Sequence, residues 1–121
     1  MTRGDVRRSG SETLTVGELS CAGQLARFFP SVTAVRIPVQ VTQLRAGNRR
    51  MREATVLEFG TSQHAIFLST LPLEFDDRVR IEHTEAGRGT EAAVVAMQYH
   101  EGRKAVAVRF LHGPCQWVTE T

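Results

Sequence analysis

The sequence predicts an all-β domain preceded by one α-helix. About six short runs of alternating apolar, β-branched and aromatic residues follow one another from Val35 to Phe110. Turn residues separate them at intervals of about 8–12 residues, the rhythm of a small antiparallel barrel or sandwich. No helical periodicity interrupts the runs; the one amphipathic helical segment precedes them and stops at Pro30.

The 121 residues suit one domain with short appendages, enough to build a core without disulfides or a metal. With 41% hydrophobic and 23% charged residues, the composition is that of an ordinary globular chain. A net charge of +2 names no partner. Cys21 and Cys115 are far apart and belong to no CxxC pair, so neither a disulfide scaffold nor a zinc site is expected and a reducing compartment is. The N-terminus has no apolar run like a signal peptide, and no stretch could span a membrane as a helix, so the expected location is the cytoplasm.

Residues 1–12 are polar and read as a disordered tail. Residues 13–30 hold the helix, predicted over Thr13–Phe29. Thr15 is a good N-cap with Glu18 at N3, and Leu14 and Leu19 are placed as a hydrophobic staple. Leu19, Ala22, Ala26 and Phe29 recur at helical spacing, flanked by Leu25 and Phe28. So short a helix needs a surface to dock on, and Leu19, Leu25 and Phe28 are suited to covering an open end of the domain or a second chain.

Residues 31–121 form the β domain. In the first strand, Val35–Leu44, Ile37, Val39 and Val41 alternate with Arg36, Gln40 and Thr42; Pro38 predicts an edge position or a strand start. Ala54–Ser69 reads as two strands around a turn at Gly60, with Thr55, Leu57 and Phe59 sharing one face of the first. The strands Arg78–Thr84, Thr90–Tyr99 and Lys104–Phe110 follow, with Val94, Val106, Val108 and Phe110 expected in the core. Trp117 is expected to seal one end of that core.

Several of these segments carry a resemblance. Arg-Ile-Pro-Val-x-Val from Arg36, Ser-x-x-Ala from Ser62, Pro-Leu-x-x-x-Asp-x-Val-x-Ile from Pro72 to Ile81, Ala93-Val-Val, Gly102 and Ala105-Val-Ala-Val-Arg-Phe110 together resemble the PilZ domain over roughly Ala34–Phe110. The resemblance implies a six-stranded antiparallel barrel in a bacterial signalling protein, many of whose relatives bind cyclic di-GMP. Family members do so with Arg-x-x-x-Arg before the first strand and Asp/Asn-x-Ser-x-x-Gly between the second and third. An arginine fork can take guanine O6 and N7 bidentately and can stack on the base.

The resemblance therefore assigns ligand contacts to Arg36 and Ser62. Val32 stands where the other arginine is expected, Gly60 where Asp or Asn is, and Ala65 where Gly is. Each lost charge-assisted hydrogen bond is worth about 1.5–3 kcal/mol, so two losses weaken binding by on the order of a hundredfold or more. Arg45 and Arg49 satisfy Arg-x-x-x-Arg literally but follow the first strand. The expectation is a regulatory module acting through protein contacts, with weak or no cyclic di-GMP binding; a cyclic di-GMP-binding adaptor is the alternative. The sequence names no protein partner and sets no oligomeric state.

Other chemistry finds less support. Ser62 and His64 are two apart with Glu58 near, but Gly60-Thr-Ser-Gln-His lacks the second glycine and the following helix of a nucleophile elbow, so no enzyme is expected. His83, His100 and His112 lack metal-ligand spacing, and no cofactor is expected. Cys115 near Trp117 reads as core or surface rather than nucleophile. Between Ser31 and Arg52 there are five arginines and no acid, but the phenylalanines fall at core-like positions rather than on a stacking platform, which argues against nucleic acid.

Overall fold

The structure, a computed structural model, describes residues 21–44 and 50–119. Its elements are α1 (Cys21–Ala26), β1 (Thr33–Gln43), β2 (Arg52–Gly60), β3 (His64–Leu68), β4 (Arg78–His83), β5 (Gly89–His100), β6 (Arg103–Phe110) and α2 (Gln116–Thr119). The strands run β1-β2-β3-β6-β5-β4, every neighbouring pair antiparallel, and β4 closes back on β1 to make a barrel. Closure leaves none of the described strands unpaired along the whole of one side, although part of β1 before Val39 and of β2 before Leu57 is paired on one side only. The tail at residues 1–12 and the predicted helix cap and staple lie outside the described residues, and no described helix is long and apolar enough to cross a membrane.

Alternation decides what fills the barrel. Ile37, Val39 and Val41 of β1, Phe67 of β3, Val79 and Ile81 of β4, and Val106 and Val108 of β6 form one buried cluster, joined by Leu57, Val94 and Phe110. Burying each such side chain contributes about 1.5–3 kcal/mol. Leu71 and Leu73, from the loop after β3, join this cluster beyond one set of strand ends, while Cys115, Trp117 and Val118 join it from the C-terminal segment at the other. Trp117 thus sits in the core, with the His83 ring 5.3 Å from its own.

Among the described residues the register shifts at three places, one of them between Ala34 and Ile37 of β1, and at the other two the alternation reverses. A β-bulge lies between Leu57 and Phe59, and another between Val94 and Ala96. An extra residue reverses the phase of a strand. Leu57 therefore faces the interior and Phe59 the outside, correcting the expectation that they share a face. Phe59, Val95 and Ala96 join Ile66, Ala105 and Ala107 in a second apolar cluster, on the outer wall. Cys21, Ala22 and Leu25 of α1 pack there, and Gln24 Oε1 accepts from Gln98 Nε2 at 2.9 Å.

The helix is thus docked on the chain's own barrel, but on its wall rather than over an end. Its described part stops at Ala26, short of the predicted Phe29, and Phe28 is 73% exposed. Pro38 is neither at a strand start nor on a free edge: it pairs with Val56 of β2. The β1–β4 ladder begins only at Val39, so the missing Pro38 N–H deprives no partner strand. Glu101 and Gly102, at φ 52° and 78°, make the β5–β6 turn with the two left-handed residues that a tight hairpin needs.

Ala107 is fully buried beneath α1. Ala107→Leu is expected to lift the helix and to cost about 1–3 kcal/mol, read as a lower urea midpoint with an unchanged m-value; an unchanged midpoint would mean that α1 is not seated on the wall.

Candidate functional site

The turn that the sequence singles out joins β2 to β3. Thr61 shapes it. Its N–H donates to the His64 carbonyl at 2.8 Å, and its Oγ1 accepts from the N–H groups of Gln63 and His64 at 2.9 and 3.0 Å. A hydroxyl that takes two backbone donors does locally what an Asx turn does. The turn is also tied to distant chain. The Gln63 carbonyl accepts from Phe110 N–H at 2.9 Å, and the Ser62 carbonyl from Cys115 N–H at 2.7 Å.

Gly60 is buried at the end of β2. A Cβ on it would lie 2.6 Å from Val118 Cγ1 of α2, closer than real contacts allow. The space that an Asp or Asn side chain would need is therefore filled by Val118. Ala65, at the expected glycine position, points into the core and is fully buried. Val32, at the expected arginine position, packs on the outer apolar cluster beside α1.

Arg36 is exposed on β1, within the register shift between Ala34 and Ile37. Among the described residues no hydrogen bond or ion pair joins it to Ser62. Its charge acts instead on Glu58. Burial pushes the Glu58 carboxyl above the usual carboxylate range, against the opposing pull of Arg36 and Arg103. His64 is held below the usual imidazole range, first by burial and then by the neighbouring Arg109 charge. Its ring lies 5.3 Å from that of Phe29, not on Ser62. Beside the turn is a shallow cavity of about 130 Å³, lined by Phe28, Phe29, Pro30, Val32, Thr61 and His64 among others.

The remaining candidates have local roles. His83 Nδ1 accepts from Glu85 and Ala86 N–H, both at 3.2 Å, which holds the β4–β5 turn. His100 sits 3.5 Å from Glu101 and His112 3.3 Å from Glu91. No group of three His, Cys, Asp or Glu side chains among the described residues could hold a metal. Cys115 is buried in the core. The Arg45–Arg49 pair lies outside the described residues.

Sequence reasoning missed α2 as the neighbour of the turn. The apolar triplet Cys115, Trp117 and Val118 was the available signal, but only Trp117 is large enough to stand out. It also missed the polar cleft at the other end of β2 and β3, which Glu53 and Lys104 line. The chain matches no protein-family model, and no curated protein matches it.

Two substitutions test this geometry. Gly60→Asp is expected to lower stability by at least about 1–3 kcal/mol through overpacking, and adding Val118→Ala should return part of that loss in a double-mutant cycle. Strict additivity would show that the two positions do not touch. Glu58 holds its proton more tightly in the folded chain than in the unfolded one. Its stabilising contribution is present below about pH 4.3 and is lost as pH rises through the raised folded value. Glu58→Gln should therefore gain on the wild type as pH rises from 4 to 7, read from paired urea midpoints; a constant difference would contradict the assignment.

Proposed function

We propose that this chain is a PilZ-like barrel that acts as a non-catalytic, cytoplasmic signalling module through protein contacts, with weak or no binding of cyclic di-GMP. One observation carries the reading. The position where the resemblance expects an acidic or amide side chain is a glycine with Val118 packed on it. The turn's own carbonyls at Ser62 and Gln63 are engaged by Cys115 and Phe110. A ligand there would find both of those backbone acceptors already engaged.

The approach to the turn adds support. The segment that should bring an arginine brings Phe29, Pro30 and Val32. The cavity beside the turn and under that segment, at about 130 Å³, is well below the roughly 300–1,000 Å³ of small-molecule sites, and another beside the turn, about 280 Å³ and lined by Gln63 and Arg109, is just below that range. Arg36 divides its field between solvent and Glu58 instead of converging with Ser62. The exposed Phe28, Phe75 and Tyr99 are apolar surface of the kind that protein contacts use.

Calorimetric titration of the purified chain with cyclic di-GMP tests the reading. No saturable heat in the low-micromolar range is expected. Any weak binding should vanish in Arg36→Ala and persist in Arg49→Ala. Saturable low-micromolar binding would favour the alternative, a cyclic di-GMP-binding adaptor, and defeat the proposal.

A further inference from the structure

The β2–β3 ladder pairs Gly60 with Ala65, Phe59 with Ile66 and Leu57 with Phe67, and no further. Toward the other end of the barrel the two strands part. Thr55 Oγ1 spans the gap, donating to the Leu68 carbonyl at 2.8 Å. A cavity of about 330 Å³ opens there, lined by Glu53, Thr55, Ser69, Thr70, Arg103 and Lys104 together with Leu68 and Gly102. That volume is at the lower end of what small-molecule sites enclose, about 300–1,000 Å³.

The cleft's hydrogen-bonding groups are unequally spent. Glu53 Oε1 accepts from Ser69 Oγ at 2.8 Å and from Thr70 N–H at 3.2 Å; Oε2 accepts from Thr70 N–H at 2.9 Å and from Thr70 Oγ1. Three donors thus hold Glu53, the Thr70 N–H shared between its two oxygens, and of about four lone-pair sites on a carboxylate most are taken. Thr55 has used its proton on Leu68. Lys104 Nζ gives one proton to the Leu71 carbonyl and keeps two. Arg103 is exposed and makes no side-chain hydrogen bond or ion pair among the described residues; its charge acts on Glu58 from a distance, and its N–H donors are open. The unspent groups are nearly all cationic donors, and the lining carries one positive charge in excess, from Arg103 and Lys104 against Glu53.

We propose that this cleft binds a small molecule with an anionic head, a phosphate or a carboxylate, held by Lys104 Nζ and the Arg103 guanidinium. The site lies at the opposite end of β2 and β3 from the Ser62 turn. It stands whether or not a nucleotide binds there.

The test is an NMR titration of the isotopically labelled full chain with inorganic phosphate and, separately, with citrate, each at constant ionic strength with sodium chloride as the control. Saturable shifts are expected at the amides of Thr70, Gly102, Arg103 and Lys104, with the Ser62 and Gln63 amides unmoved. Saturation by phosphate alone points to a phosphate ester as the ligand; saturation by citrate alone points to a carboxylate. Arg103→Gln touches no main-chain partner, should leave the fold intact and should weaken binding about fivefold. Lys104→Met should weaken it about tenfold or more, with Gly60 and Ala65 amide shifts confirming the fold. Shifts no larger than those from chloride, or binding unchanged in Arg103→Gln, would overturn the proposal.

Discussion

A strand that alternates strictly can offer apolar side chains to one face only, and this barrel needs two. Its interior demands one apolar face from every strand. The amphipathic α1 demands a second apolar surface, because a helix so short has no stability of its own. β3 and β6 meet both demands with unbroken apolar runs, and β2 and β5 meet them through bulges at the cost of one unpaired residue each. Each bulge reverses the phase partway along its strand, so that Leu57 and Val94 fill the interior while Phe59, Val95 and Ala96 face out. Ala105 and Ala107 complete the floor. Because they are small, α1 lies close to the sheet, with Leu25 and Cys21 filling what remains. The position of α1 thereby fixes where the following segment runs, and that segment brings Phe29 and Val32 to the Ser62 turn.

The turn is constrained from the other side by the C-terminus. Cys115 N–H is bonded to the Ser62 carbonyl, and Val118 stands on Gly60. Trp117 and Val118 belong to the same buried cluster as β1 and β6, so moving α2 aside exposes core. Burying those two side chains is worth several kcal/mol. A surface ligand contact at the turn is worth about 1.5–3 kcal/mol at best. Packing wins that comparison, and the turn serves as a seat for the C-terminal segment. The same residue positions that resemble a nucleotide motif are thereby used for closing the barrel.

Much of the barrel was readable in the sequence because its signal is local. The alternation in β1, in β4 and in β6 sorts Ile37, Val39, Val41, Val79, Ile81, Val106 and Val108 without knowledge of the partner strands, and all are buried. The bulges were not readable. A run such as Thr55-Val-Leu-Glu-Phe keeps its apparent period of two whether or not an extra residue is accommodated, and only the partner strand reveals the reversal. The docking of α1 on the wall draws on Phe59, Val95 and Ala96, which those bulges turn outward, as well as on Ile66, Ala105 and Ala107, and that part of it was hidden for the same reason. At the turn, Ser62 and Arg36 stood out because a short motif picks them out, whereas Val118 lies nearly sixty residues from Gly60 and has no motif. Contacts between residues that far apart are set by topology.

The two ends of the β2–β3 pair make a physical contrast that helps locate chemistry on this molecule. At the Ser62 end, backbone acceptors meet backbone donors, apolar side chains fill the gaps, and the charges nearby are diverted: Arg36 toward Glu58, Arg109 against His64. At the Glu53 end the strands separate before the ladder is complete, and side chains bridge the space. The carboxylate there is mostly taken up in holding Ser69 and Thr70, which leaves the cationic groups as the main unsatisfied members. Lys104 is the chain's only lysine. It carries a strongly hydrated point charge whose partial burial is costly unless its protons find acceptors. One proton finds the Leu71 carbonyl. The acceptors for the other two must come from water or from a ligand, and an anion supplies both the lone pairs and the opposing charge.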